Sequence, residues 1–445
     1  MTKTIENPSS RAGLARFFFF AFLASILVVF SPQPSAKAST PGGDDEAIRV
    51  VVSPSAKEPE PIAVPDLICT KASQATCSML TTVLRRDLNL SGVFRVVNPD
   101  SYFAKAKKKG EAIPFSDWFN VGARYLVQGE VKSGRNYPDV RISLYDVVEK
   151  KPIAIKVKAL GSGRKGDAVL TVHRHVNAFI LAVTGRPGIF GSRIVFSRKV
   201  GSGHKDIMVI RFGDLRPSLK IADGTSNLFP DMTGGKLLYT SFKRNKPDLY
   251  LDGKLLTRDE NQYRSGRLAP GGGAIVVSVD TGDGQSDIWL MKPDGKLWKN
   301  LTNSLEDEVS PRWSKDGRWI AYVSNRTGSP QLYAMDKSGN KKRRVSMAGN
   351  YNTSPDFGIH GRVAFAGMDD FVSEIFVTDL QGNMQRITQQ QGSNKDPAWS
   401  PDGKYLVFVS TRNRKTQLFV GTEDGRWQFP LFEAPGVYST PSWHW

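Results

Sequence analysis

Beyond residue 191 the apolar residues come in short runs set off by turn residues, and no window keeps a helical period. Runs of this kind, rich in Val, Ile, Leu, Tyr and Phe and bounded by Gly, Pro, Asp and Asn, predict β-strands. Asp396–Ser410 (DPAWSPDGKYLVFVS) shows the unit in full. A Trp-bearing strand leads into the turn Ser400-Pro401-Asp402-Gly403, and a β-rich run follows at Tyr405–Val409. Pro presets φ at the second turn position, Asp bonds its own backbone, and Gly accepts positive φ.

The second strand of this unit returns six times, at Ile194-Val195-Phe196, Leu237-Leu238-Tyr239, Ala274-Ile275-Val276, Ile320-Ala321-Tyr322, Val363-Ala364-Phe365 and Leu406-Val407-Phe408, at intervals of 43, 37, 46, 43 and 43 residues. Another strand opening on a polar residue follows each copy after 11 to 13 residues, as at Asp248-Leu249-Tyr250 and Gln417-Leu418-Phe419. A period near 43 with four short strands per unit predicts a six-bladed β-propeller, because each sheet must stack on its neighbours to bury both faces. The first copy begins at Arg193 without an innermost strand, and Ser439–Trp443 is an innermost strand with nothing after it. These two pieces should complete one blade and remove two open edges. Trp313 and Trp399 read as packing between blades.

Before residue 191 the periodicity is mixed. Ala47–Ser53 predicts a strand and Pro54–Pro65 a Pro-rich connection. Gln74–Leu90 carries apolar residues at helical spacing and stops at Ser91-Gly92. Val93–Val97 reads as a strand, and Ser101–Lys109 and Phe115–Val121 as short helical pieces. Ala123–Lys132, Asp139–Val148 and Pro152–Leu160 read as three strands, and Asp167–Thr184 as an amphipathic helix. The expectation is an α/β domain over 39–186, a mixed sheet covered by helices, joined by Gly185–Gly191 to an all-β propeller over 191–445.

The first 38 residues belong to neither. A basic start (Lys3, Arg11, Arg16), the apolar run Phe17–Phe30 and the Ser35-Ala36-Lys37-Ala38 pattern predict a signal peptide cleaved near Ala38/Ser39, with no Cys after the run to carry a lipid. Its loss removes four basic and one acidic residue and takes the net charge from +18 to +15. On an exported chain that excess argues for acidic protein faces or an anionic envelope surface rather than nucleic acid. Cys69 and Cys77 are the only cysteines. Both on one helix would lie about 12 Å apart, too far to bridge, so a disulfide needs Cys69 in a loop before the helix; their pairing is left open.

Signs of catalysis are sparse. Gly161–Gly166 (GSGRKG) matches G-x-G-x-x-G between a strand and a helix, but the strands before it are too closely linked for βαβ crossovers, which argues for a basic turn. His173 and His175 lie two apart on a helix and point to different faces. Asp280, Asp283 and Asp287 lack the spacing of a calcium loop. No G-x-S-x-G occurs. The reading is a non-enzyme with no cofactor and no metal. The informative residues are those leading into each innermost strand, which ring one mouth of the channel: Gln262 and Tyr263, Asp307 and Glu308, Tyr351 and Asn352, Ser393 and Asn394, and Tyr438. This collar suits a protein surface.

A signal peptide, a small α/β domain and a six-bladed propeller with S-P-D-G turns resemble the TolB family of the Tol–Pal envelope system. The likeness rests on Asp87-Leu88, Ser91–Phe94, Trp118–Gly122, Tyr125–Val131 (YLVQGEV) and Leu181–Arg193 (LAVTGRPGIFGSR). The resemblance implies a periplasmic, non-catalytic protein that maintains outer-membrane integrity and invagination during division. It implies binding of the Pal lipoprotein at the channel mouth, and of the inner-membrane protein TolA through a mature N-terminal tail bearing Asp44, Asp45, Glu46, Ile48, Arg49 and Val50. Such a protein is peripheral to the envelope once the leader is removed. The alternative from a different class is a periplasmic propeller enzyme or small-ligand binder using the central channel; a nucleic-acid binder conflicts with the leader.

Overall fold

The computed structural model describes residues 58–70, 72–107, 110–134, 138–157, 167–369, 371–434 and 436–445. The expected leader, the tail residues Asp44–Val50, the strand at 47–53 and the glycine-rich turn at 161–166 lie outside the described residues.

The N-terminal domain opens with strand β1 (Glu60–Ala63) and β2 (Ile68–Thr70), then helix α1 (Gln74–Leu90) and β3 (Phe94–Val96). Short helix α2 (Phe115–Asn120) leads to β4 (Tyr125–Lys132), β5 (Asp139–Asp146), β6 (Lys151–Ile153) and helix α3 (Ala168–Thr184). The sheet runs β3-β1-β4-β5-β6, with β2 also on β4. Pairings of β1 with β3 and β4, and of β2 with β4, are parallel; β4-β5 and β5-β6 are antiparallel, so the sheet is mixed.

Local chemistry sets both long helices. The Ser73 side chain accepts the Thr76 N–H ahead of α1, and the Asp167 carboxylate accepts the Val169 and Leu170 N–H groups ahead of α3. Gly185 ends α3 at φ 74° in the left-handed region. Leu80, Leu84 and Leu88 of α1 and Val172, Val176 and Phe179 of α3 are buried against Val127 and Leu144 of the sheet. A disulfide joins Cys69 in β2 to Cys77 in the first turn of α1, with 6.2 Å between the Cα atoms.

Three details differ from the periodicity. The expected Pro-rich connection contains β1, because a buried pair, Ile62 and Ala63, outweighs the flanking prolines. Residues 101–107 are not helical apart from the end of a 3-10 turn at Pro99–Ser101. Of the strand expected over Pro152–Leu160, the described residues form only the three-residue β6.

Six four-stranded antiparallel sheets form the propeller. Blades one to five span residues 227–255, 262–300, 308–344, 352–386 and 394–430. Blade six combines Tyr438–His444 with Arg193–Val200, His204–Arg211 and Ser218–Ile221, so the last strand closes the ring on the first. Tyr438 lies opposite Arg198 and His444 opposite Arg193, and the Trp443 indole N–H donates to Ser192 Oγ at 2.8 Å. The S-P-D-G turn works as its residues require. Ser400 Oγ bonds Asp402 Oδ1 at 2.7 Å and accepts the Tyr405 N–H at 3.0 Å, while Gly403 sits at φ 71°. Ser314 and Asp316 repeat the arrangement in blade three. Trp399 is buried beneath the Arg362 guanidinium, 4.9 Å from its ring centre, in a cluster with Leu406 and Phe408.

Every innermost strand carries the same irregularity. Phe229, Ser265, Ser310, Ser354, Asp396 and Thr440 adopt φ between 46° and 56°, and the register with the next strand slips at each. These six β-bulges form a ring inside the channel. Among the described residues no helix is long and apolar enough to cross a membrane.

Candidate functional site

Innermost strands all begin at one mouth of the channel and end at the other, so the collar residues gather as the repeat predicts. Their exposures divide them. Gln262, Asp307, Tyr351 and Ser393 are partly exposed on the rim. Tyr263, Glu308, Asn352, Asn394 and Tyr438 are buried, none more than 4% exposed, and do not present their side chains to a partner.

The buried group braces the blades. Tyr263 donates its hydroxyl to Asp259 at 2.7 Å, and Tyr438 donates to the Ala434 carbonyl at 3.2 Å. Glu308 accepts from Arg326 at 2.8 Å and Ser324 at 3.0 Å; burial pushes its carboxyl pKa up against the pull of that guanidinium. Asn352 donates to Gln331 of blade three at 2.9 Å, and Asn394 to Glu374 of blade four at 2.9 Å, so each ties its strand to the preceding blade. Successive strand residues face opposite sides, and the position two before each bulge turns inward. On the rim, Asp307 accepts the Ser286 N–H at 3.0 Å and Gln262 accepts from Arg264 at 3.1 Å.

Two apolar side chains at the same mouth complete the surface. Leu305, in the loop entering blade three, is 83% exposed, and Phe371, at the tip between Val363–Asp369 and Val372–Thr378, is 96% exposed. Pairing of Asn352 with Gly367 places that tip on the collar side. A lone Leu among polar residues (NSLEDE) and a Phe after two acids (DDFVSE) are the sequence signals that mark them. The mouth is therefore a polar rim carrying two apolar anchors, a composition suited to a protein partner.

A second polar constellation lies where the N-terminal domain meets the propeller. His173 of α3 sets Nδ1 2.6 Å from Asp87 of α1 and Nε2 3.0 Å from Asp214, which follows the strand His204–Arg211. Both partners are carboxylates, so both ring nitrogens donate and the ring is an imidazolium. Burial opposes that charge, but Asp87 and Asp214 outweigh it and raise the His173 pKa to about 9. Burial raises Asp87 to about 6 despite His173, whereas Asp214 is held below its usual range because bonds from His173 and Arg211 outweigh its burial. Arg211 also pairs with Asp167, the cap of α3. Arg86 donates to the carbonyls of Gly213, Asp214 and Leu431, and Tyr405 donates to the Ser91 carbonyl at 2.6 Å. Gly213 sits at φ 102°, where a Cβ would come within 2.5 Å of the His173 ring and 2.6 Å of Asp87. Apolar packing is continuous across the joint through Phe190, Phe212 and Trp443.

No group of three or more His, Cys, Asp or Glu suited to a metal occurs among the described residues. His175 bonds the Thr171 carbonyl in its own helix. Asp280 and Asp287 brace their loops by accepting from Gly282 and Gly284 and from Asn300, Thr302 and Ser304.

Two family models match the chain. The TolB beta propeller domain covers residues 181–444 and the TolB amino-terminal domain residues 48–153. A "Protein TolB homolog" of Chlorobium luteolum is 29% identical over 273 residues, 60% of this chain and 61% of that protein. A "Tol-Pal system protein TolB" of Anaeromyxobacter dehalogenans is 30% identical over 301 residues, 65% of this chain and 66% of that protein. The chain thus spans just under two thirds of the length of these relatives. A crystal structure of TolB from Acinetobacter baumannii superposes with a TM-score of 0.74 at 22% identity, covering 89% of this chain and 98% of that one, which is a likeness of fold.

Proposed function

The chain belongs to the TolB family, and from that premise we propose that it is the periplasmic, non-catalytic component of a Tol–Pal system. It binds the Pal lipoprotein at the collar mouth and TolA through the tail bearing Asp44–Val50, and so maintains the outer membrane and its invagination during division. The observation that carries the docking surface is the pair Leu305 and Phe371, exposed on a rim of half-buried polar groups. Burying such a side chain on association contributes about 1.5–3 kcal/mol, or roughly 10- to 100-fold in affinity.

Titration of the mature chain with Pal by calorimetry tests this. Phe371→Asp should weaken binding by about tenfold or more, with no loss of thermal stability because the side chain touches solvent. Equal affinity of wild type and a Leu305→Asp/Phe371→Asp double variant would remove the mouth as the docking surface. Deleting residues 44–50 should abolish TolA binding and leave the Pal titration measurable, which separates the two partners.

A further inference from the structure

We propose that the end of the central channel opposite the collar is a binding site for a carboxylate. Two residues beyond each bulge the innermost strands place Asp231, Arg267, Arg312, Asp356, Ala398 and Ser442 in a second ring. Of its two acids and two bases only Arg312 and Asp356 form an ion pair, while Asp231 turns to other partners. Asp231 accepts the Leu268 N–H at 2.8 Å and Ser442 Oγ at 3.1 Å, and lies 3.3 Å from His444. Asp356 accepts the Trp399 N–H at 2.7 Å, and its other oxygen lies 3.3 Å from Arg312 Nε, an ion pair without hydrogen-bond geometry.

The arginines keep donors in hand. Arg267 is 3% exposed and uses Nη1 on the carbonyls of Phe229 and Gly266, at 2.6 and 2.9 Å. Its Nε and Nη2 have no protein acceptor; Arg312 Nη1 has none either, while its Nε meets Asp356 only as the ion pair. Nε–H and Nη2–H are the parallel donors along one edge of a guanidinium, and they match the two oxygens of a carboxylate. Leaving such buried donors unmet carries a desolvation penalty that an oxyanion removes.

Space and charge define the ligand. Both arginines line a cavity of about 150 Å³, which Lys315, Trp313 and His444 also border. That is room for about five waters at roughly 30 Å³ each, enough for a two- to four-carbon acid and too little for a nucleotide. Toward the collar the bulge ring narrows to a cavity of about 20 Å³, so the ligand enters from the opposite mouth. Asp231 and Asp356 beside the arginines disfavour a dianionic phosphate and leave a single carboxylate the better fit.

Calorimetric titration of the mature chain with sodium propionate, ionic strength held constant with chloride, tests the site. Saturable one-to-one binding is expected. Arg267→Gln, which removes the fork, and Arg312→Lys, which keeps the charge but removes the Nη1 donor, should each weaken it by about tenfold or more. Should Arg267→Gln fail to fold by circular dichroism, Arg312→Lys carries the test. Tighter binding of glycylglycine than of propionate would assign the site to a chain terminus and the reverse to a free acid; either supports the proposal. No saturable heat from either probe, unchanged affinity in Arg312→Lys, or tighter binding of phosphate than of both would overturn it. Pal docks at the other mouth in our reading, so failure of that reading leaves this result standing.

Discussion

Replacing His173 by Gln should uncouple the stability of the domain joint from pH. The ring is protonated between Asp87 and Asp214, with its folded pKa raised to about 9 from an ordinary 6.5. A raised folded pKa contributes stability that is fully present below about 6.5 and is lost as pH climbs through about 9. At 1.36 kcal/mol for each pH unit, the imidazolium contributes about 3 kcal/mol at pH 6 and almost nothing above pH 9. The Asp87 carboxyl, raised by burial to about 6, acts with the same sign at lower pH, because ionising it in the fold costs more than ionising it in the open chain. Thermal unfolding at pH 6 and pH 9 in constant salt reads the difference. For about 400 residues unfolding together, about 3 kcal/mol corresponds to roughly 4 °C in Tm. The wild type should lose that increment between pH 6.5 and 9. His173→Gln should begin lower, with Asp87 left without its charged donor, and show a flatter profile over the same window. Lys205, lowered by burial to about 8, titrates inside the window in both proteins and cancels in the comparison. Parallel pH profiles for the two proteins would refute the assignment of the charge to His173.

Charge reversal at the collar should divide along the line of burial. Glu308→Arg places a second cation beside Arg326 in a buried site and should cost about 3–5 kcal/mol in urea unfolding; a midpoint shift no larger than that of Asp307→Arg would contradict the burial argument. Cys69→Ser opens a loop closed over a separation of eight residues. It should cost about 2–3 kcal/mol by loop-closure entropy, visible as a lower Tm that reductant reproduces in the wild type and leaves unmoved in the variant.

The parts of the molecule written in local chemistry were readable from the chain. The S-P-D-G turns, the strand alternation and the unpartnered strand at Ser439–Trp443 each declare themselves within a dozen residues, and together they specify six blades and their closure. The helices α1 and α3 follow from apolar spacing and their caps. The collar was legible in position but not in orientation. Which of Asp307 and Glu308 faces inward depends on how the blade meets its neighbour, and no local spacing carries that. The bulge ring was invisible for a related reason. Its members are Phe, Ser, Asp and Thr, none a glycine, so their left-handed backbones are imposed by packing around the channel. The Asp87–His173–Asp214 cluster joins residues up to 127 positions apart, and His173 alone on a helix reads as an ordinary core residue.

Closure of blade six by Tyr438–His444 also bears on the export proposed for the chain. A polypeptide threaded across a membrane emerges N-terminus first, and Arg193–Val200 then waits for a neighbour about 240 residues behind it. At about 5–20 residues per second, that interval is on the order of 10–50 s. Throughout it, one β-edge stays unpaired and open to strand exchange with other nascent chains. The wheel can shut only in a single late event, after nearly every other pairing has formed. On the proposed export route, holding factors beyond the membrane would therefore find their longest window on this strand, and substitutions that slow synthesis should depress yield without touching the stability of the finished protein.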